Sequence, residues 1–265
     1  MKNVKIIAAA VVLMVLIHAC STVPIIGRKQ LNLLPESQMV SMSLTNYKAF
    51  LDTNEVVTSG TQYAMVKNSG ERISKAVEKF LNENGLGDRI SSFDWEFNLV
   101  KDDTPNAWCM PGGKVVFYDG ILPLCQNEDG VAVVMGHEIA HAVAKHGNER
   151  TSQGLITQMG GMAFDIALSQ KPEQTRNIFL SAFGVGSQVF VALPYSRKHE
   201  YEADELGLIF MTMAGYNPEE AVAFWERMSK MGGANVPEFL STHPVDKKRV
   251  AALKKLLPKM EKYKP

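Results

Sequence analysis

The sequence predicts an α+β fold that is predominantly helical, with one small antiparallel sheet. Three observations lead there. Apolar residues recur at three- and four-residue spacing over 35–51 and 61–84; residues 93–101, FDWEFNLVK, alternate apolar and polar; and the helical spacing returns after Gly120 and runs almost to the C-terminus. With 265 residues, 46% of them hydrophobic, the chain can bury one sizeable core but is cramped for two. Lys and Arg total 28, as do Asp and Glu, so no global field draws in nucleic acid, which is not expected as a partner.

Each element has a local reason. Over 35–51, Ser37 is placed to cap, and Met39, Met42, Tyr47, Phe50 and Leu51 are available for burial. Over 61–84, Ile73, Val77, Phe80 and Leu81 form the stripe, and the glycines of NENGLGD stop the helix. Phe93, Trp95, Phe97 and Leu99 share one face of a half-buried strand, and two further extended pieces flank a turn at Pro111, Gly112 and Gly113. A long apolar helix is expected over 128–146, with Gly147 at its end and His146 as a cation on its C-terminal dipole. Residues 152–168 and 174–193 read as a buried helical pair rich in small residues, or as a hairpin apposed to a membrane. Asp165, Gln188 and Pro194 keep them from forming a clean span of roughly 20 apolar residues. Helices are also expected over 197–214, 218–231 and 245–257, and no repeat of solenoid period is visible.

The first residues carry two lysines, then an apolar run from Ile6 to Ile17, then IHAC. The run is too short for a bilayer span and suits an export signal. IHAC resembles the bacterial lipobox, in which Cys20 becomes the lipidated first residue. The expected organisation is a signal peptide over 1–19, a tether over 20–35 and a single catalytic domain over 36–265, attached to a membrane through lipid. Cys109 and Cys125 then lie in a compartment that permits disulfides, and bridged and free thiols are equally open.

The chemistry concentrates in VVMGHEIAHAVAKHG, residues 133–147. Residues four apart share a helix face, so His137 and His141 can aim one imidazole nitrogen each at one metal ion. Catalytic zinc takes three protein ligands and keeps a water whose pKa falls to near 7, and Glu138, next to His137, is the candidate general base for it. The continuation HxxGxxH, which would supply a third ligand from the same segment, is missing: Ala144 and Gly147 stand at those places. The third ligand is therefore assigned to Glu200 in SRKHEYEADELG, with His199 a rival. Asp204, one turn on, is placed to accept a hydrogen bond from the free N–H of a ligating histidine.

HEIAH, EYEAD downstream, NAWCMPGG upstream and STHPVDKKRV near the end, in that order, resemble the M48 zinc metallopeptidases, the group that includes the CAAX-type prenyl protease. GRKQLNLLPES resembles exported, membrane-associated bacterial members. The resemblance implies a zincin-like domain with an HExxH active-site helix and one zinc ion per subunit on His137, His141 and Glu200. It also implies Glu138 as base, His243 as donor to the oxyanion and Arg249 as a supporting residue counted with the substrate-binding set. Asn106 and Ala107 would form the edge that pairs with substrate backbone. It points to polypeptide substrates, namely unfolded envelope proteins, cut on the periplasmic side of the bacterial envelope, with the outer membrane favoured over the inner. The absence of several membrane spans speaks against prenylated substrates. Two other classes stand beside it: a chaperone-like holdase with a structural or vestigial metal site, and an HExxH hydrolase of small amides.

Overall fold

The computed structural model describes residues 20–169, 171, 173–187, 193–231, 238–244 and 247–265. The expected signal peptide, 1–19, lies outside the described residues, as do parts of the helices expected over 174–193 and 245–257. Strands β1 (Cys20–Thr22) and β2 (Lys29–Leu31) open the chain, followed by α1 (Glu36–Thr53), β3 (Val56–Val57) and α2 (Thr61–Glu83). Strands β4 (Glu96–Val100), β5 (Ala107–Met110) and β6 (Lys114–Tyr118) follow, then the one-turn α3 (Leu122–Cys125) and α4 (Glu128–Val143). Six more α-helices follow among the described residues: α5 (His146–Ala167), α6 (Glu173–Ser187), α7 (Leu193–Met213), α8 (Glu219–Ser229), α9 (Glu238–Thr242) and α10 (Lys247–Leu256).

The chain divides into two compact units. One comprises residues 1–35 with 145–199, the other 36–144 with 200–265.

In the second unit, β3, β4, β6 and β5 form one sheet in that order. β3 with β4 and β5 with β6 are antiparallel; β4 and β6 run parallel, with Leu99 opposite Phe117. Leu99, Val100, Val115, Val116 and Phe117 are fully buried. The positive φ of Gly112 and Gly113 makes the turn between β5 and β6, and the Trp95 ring packs so close to Gly113 that a Cβ there would lie 2.6 Å from it. Helix α2 packs on β4 and α4, and Ile73, Val77, Phe80 and Leu81, the stripe read from spacing, are all buried.

Helix α4 starts where Asn127 caps it, its side chain accepting from the Gly130 N–H at 2.9 Å. Every residue from Gly130 to Val143 is buried. Its end differs from expectation. Lys145 takes the left-handed conformation at φ 59°, and His146 begins α5 instead of capping α4. His146 is buried, its ring stacked on that of His199 with centroids 4.2 Å apart.

In the first unit, the stretch expected as a tether is folded. Cys20 pairs with Leu31 across the β1–β2 hairpin, and Val23 is fully buried. Arg28 donates two hydrogen bonds of 2.7 Å to the Glu149 carboxylate, and Glu149 also accepts from His199 Nε2 at 2.9 Å. A charge-assisted network of this kind ties the short hairpin to the start of α5. Cys109 and Cys125 are free thiols. Among the described residues no helix is long and apolar enough to cross a membrane.

Candidate metal centre

The second unit contains the whole site. His137, Glu138 and His141 come from α4, Glu200 and Asp204 from α7, His243 from just after α9 and Arg249 from α10. Glu200, Asp204 and Gly207 follow one another at helical spacing on one face of α7, and that face meets α4 where Gly136 and Gly207 let the two backbones touch.

His137, His141, Glu200 and His243 each offer one ligand atom, and these atoms lie within 4.8 Å of one another. All four residues are buried. The spacing tests whether zinc fits. Donors held about 2.0–2.1 Å from a zinc ion at tetrahedral angles lie roughly 3.3 Å apart. Here His137 Nε2 is 3.2 Å from His141 Nε2 and 3.3 Å from Glu200 Oε2, and His141 Nε2 is 3.5 Å from Glu200 Oε1. The fourth direction is met by His243 Nδ1, 3.1 Å from both His137 Nε2 and Glu200 Oε2. Two imidazole nitrogens at 3.2 Å inside an apolar helix match a shared ion, and the N₂O donor set suits zinc.

The surroundings tune these groups. Burial alone would raise the Glu200 carboxyl, but hydrogen bonds from His137 and His243 hold it well below the usual carboxylate range. Burial likewise opposes the charge on Asp204, and the adjacent Arg249 outweighs it, keeping Asp204 low. Asp204 Oδ1 lies 3.2 Å from His137 Nδ1, where it fixes which nitrogen of His137 is free for metal. His199, the rival ligand, is bonded to Glu149 in the first unit and is not in the cluster.

Glu138 is buried, its Oε1 3.4 Å from His243 Nε2. Arg249, counted from the resemblance with the substrate-binding residues, is placed otherwise. It is 2% exposed, donates to both oxygens of Asp204 at 2.5 and 2.8 Å, and lies 3.0 Å from Glu200 Oε2. Burial beneath the cluster makes it a clamp on two carboxylates. Its guanidinium sits 3.8 Å from the Trp225 ring centre, and Trp225 also packs against His137 and Phe239. Trp225 and Phe239 went unnoticed in the sequence, where an aromatic at helical spacing signals only core.

Ala107 opens β5, an edge strand of the sheet, and Asn106 immediately precedes it. The Asn106 C=O accepts from Tyr118 N–H, so alternation turns the backbone groups of Ala107 and Cys109 outward. The Asn106 side chain accepts from the Ala107 N–H at 2.9 Å. Burial pushes the Cys109 thiol well up and the charge of Glu138 adds to it; strand β5 packs against α4, the helix that carries Glu138.

A helix-borne HExxH with a carboxylate from a second helix is the donor set of a zinc metallopeptidase. The sequence profile described as Peptidase family M48 matches residues 68–257, and the chain belongs to that family. The mitochondrial metalloendopeptidase OMA1 of Schizosaccharomyces pombe is 37% identical over 191 residues, covering 71% of this chain and 53% of its own. The human mitochondrial metalloendopeptidase OMA1 is 30% identical over 250 residues, covering 91% of this chain and 46% of its own. The β-barrel assembly-enhancing protease of Escherichia coli is 27% identical over 180 residues, 63% of this chain and 37% of its own. The chain spans about half the length of the mitochondrial relatives from fission yeast and human.

Proposed function

We propose that this chain is a zinc-dependent endopeptidase that cleaves unfolded or misassembled proteins of the bacterial envelope, tethered through lipid on Cys20 and facing the periplasm, with the outer membrane favoured. The observation that carries the peptidase reading is the buried convergence of His137, His141 and Glu200 with Glu138 beside them. The expected export signal and lipobox support the location, as does the Escherichia coli relative, whose name ties it to β-barrel assembly. The mitochondrial relatives support the peptidase part alone.

His137, His141 and Glu200 would hold one zinc ion, which would supply Lewis-acid polarisation of the scissile carbonyl and of water. Glu138 accepts the proton released by the attacking water and passes it to the departing amine. His243 reaches the same space and donates to the oxygen that gains charge. Asp204 and Arg249 are positioning residues that hold His137 and Glu200 in place. Asn106 releases the Ala107 N–H as substrate arrives, and the peptide adds to β5 as a further strand through Ala107 and Cys109. Main-chain pairing tolerates many side chains, which suits a protease of unfolded clients.

The test is Glu138→Gln assayed with a reduced, carboxymethylated polypeptide. The variant should bind one zinc per chain and cleave nothing, while the parent cleaves and stops when a chelator is added. Undiminished cleavage by the variant removes Glu138 from the reaction. Protection of an unfolded client from aggregation, equal with and without chelator and with no cleavage by the parent, would give the chain to the holdase class.

A further inference from the structure

The first unit carries a helical hairpin that nothing in that unit covers. Ser152 is the last buried residue of α5, and among the described side chains of residues 153–183 none is buried. Ile156, Met159, Met162, Ile166 and Phe179 are exposed, Met159 by 63% and Ile166 by 73%. Helices α5 and α6 touch chiefly each other: the Phe164 and Phe183 rings stack with centroids 5.7 Å apart, and Gly160 and Gly161 leave room for Phe183. The charged residues between 153 and 187 are Asp165, Lys171, Glu173 and Arg176, and Arg176 is paired with Asp165. Contiguous exposed apolar side chains on this scale mark a surface that meets something else.

We propose that the α5–α6 hairpin lies in the interface of a lipid bilayer, as a second membrane contact beside the acyl chains on Cys20. The proposal rests in part on reading Cys20 as the lipidated residue. Three observations favour lipid as the occupant. The strand that begins at Cys20 is docked to the start of α5: Cys20 pairs with Leu31, the Leu33 N–H donates to Ser152 Oγ at 2.8 Å, and Asn148 donates to the Leu34 C=O at 2.8 Å. Ile156 is one helical turn beyond Ser152, so a bilayer reached by the acyl chains lies next to the apolar face. Neither helix is long and apolar enough to cross, which leaves the interfacial depth at which apolar faces and acyl chains act together. Finally, with Asp165 and Arg176 neutralising each other, the hairpin offers little charge by which a particular protein partner would be selected.

The test uses the mature lipidated chain in phosphatidylethanolamine–phosphatidylglycerol vesicles, plain or with brominated acyl chains. Tryptophan is introduced by Met162→Trp on the hairpin, or by Lys79→Trp on the exposed side of α2 as the control, and emission is read as the difference from the parent. The introduced residue at 162 should lose at least half its emission in brominated vesicles, while the one at 79 stays unchanged. Intact mass on the same sample reports separately whether Cys20 carries lipid, and quenching at 162 without an acyl mass supports the hairpin contact while removing the anchor. Equal emission at 162 in the two vesicle types overturns the proposal. So does a dimer in sedimentation without vesicles that Met162→Glu breaks, since that assigns the face to a second copy of the chain.

Discussion

Gly136 of α4 and Gly207 of α7 meet backbone to backbone: a Cβ on Gly207 would lie 2.8 Å from the His137 amide nitrogen, and one on Gly136 2.8 Å from the Gly207 carbonyl oxygen. Neither obstacle is a side chain that could turn away. This contact sets how closely the helix of His137 and His141 approaches the helix of Glu200, so it sets the donor spacing. Gly207→Ala should force the helices apart, at a cost of about 1–3 kcal/mol in stability, and should weaken zinc binding. Chelator competition together with thermal denaturation reads both, and a variant matching the parent in each would remove this crossing from the design of the site.

The Asp204–His137 contact gives the second prediction. Asp204 faces His137 Nδ1 at 3.2 Å and is itself gripped by Arg249. Asp204→Asn keeps the shape but removes the charge that orients the imidazole, and zinc affinity should fall roughly 10–100-fold. Arg249→Ala should act through the fold, destabilising by about 3–5 kcal/mol because two buried carboxylates lose their cation. Arg249→Lys should recover only part of this, since an ammonium cannot reproduce the two-pronged contact. Full recovery by lysine, measured by denaturant unfolding, would show that charge alone matters there.

His243 separates two uses of one side chain. As the donor to the developing oxyanion, its replacement by alanine should lower kcat roughly 10²–10³-fold while leaving the metal bound. Its Nδ1 also stands 3.1 Å from Glu200 Oε2, in the fourth ligand direction. Faster cleavage by His243→Ala, measured with zinc content held equal, would therefore make it a competitor of the water instead of a helper.

Much of the site could be read from the sequence because its parts are helical and local. His137 with His141, and Glu200 with Asp204, each lie on one helix at i and i+4, so spacing alone places them on a common face. What spacing cannot supply is the meeting of two helices. The Gly136–Gly207 crossing, Trp225 under Arg249 and Phe239 beside His243 are tertiary facts carried by residues that look ordinary in sequence. The parallel pairing of β4 with β6 belongs to the same class, because strand order depends on long-range closure and leaves no local mark. Residues 20–35 read as a tether because the stretch is short and carries Pro and Gly; the bonds that fold them go from Arg28 to Glu149 and from Leu33 to Ser152, more than a hundred residues away. Helix α4 ends at Val143, short of the expected 146, because Lys145 takes the left-handed conformation expected of Gly147.

That Arg28–Glu149 pairing has a measurable pH signature. Burial would raise the Glu149 carboxyl, but hydrogen bonds from Arg28 and His199 overcome it and hold the pKa at about 2, against 4.5 for the free group. A carboxyl depressed in the folded state stabilises that state above the unfolded pKa, and the contribution drains away as pH falls through the folded value. The window is therefore about pH 4.5 down to 2, and the sum at stake is on the order of 3 kcal/mol, from about 1.4 kcal/mol per unit. Stability measured by denaturant unfolding should be level above that window on this group's account and fall within it. Glu149→Gln should start lower at neutral pH, because Arg28 loses its buried partner, and should lose the steep part of the decline. A variant that tracks the parent through the window would show that the hairpin is held by its apolar contacts alone.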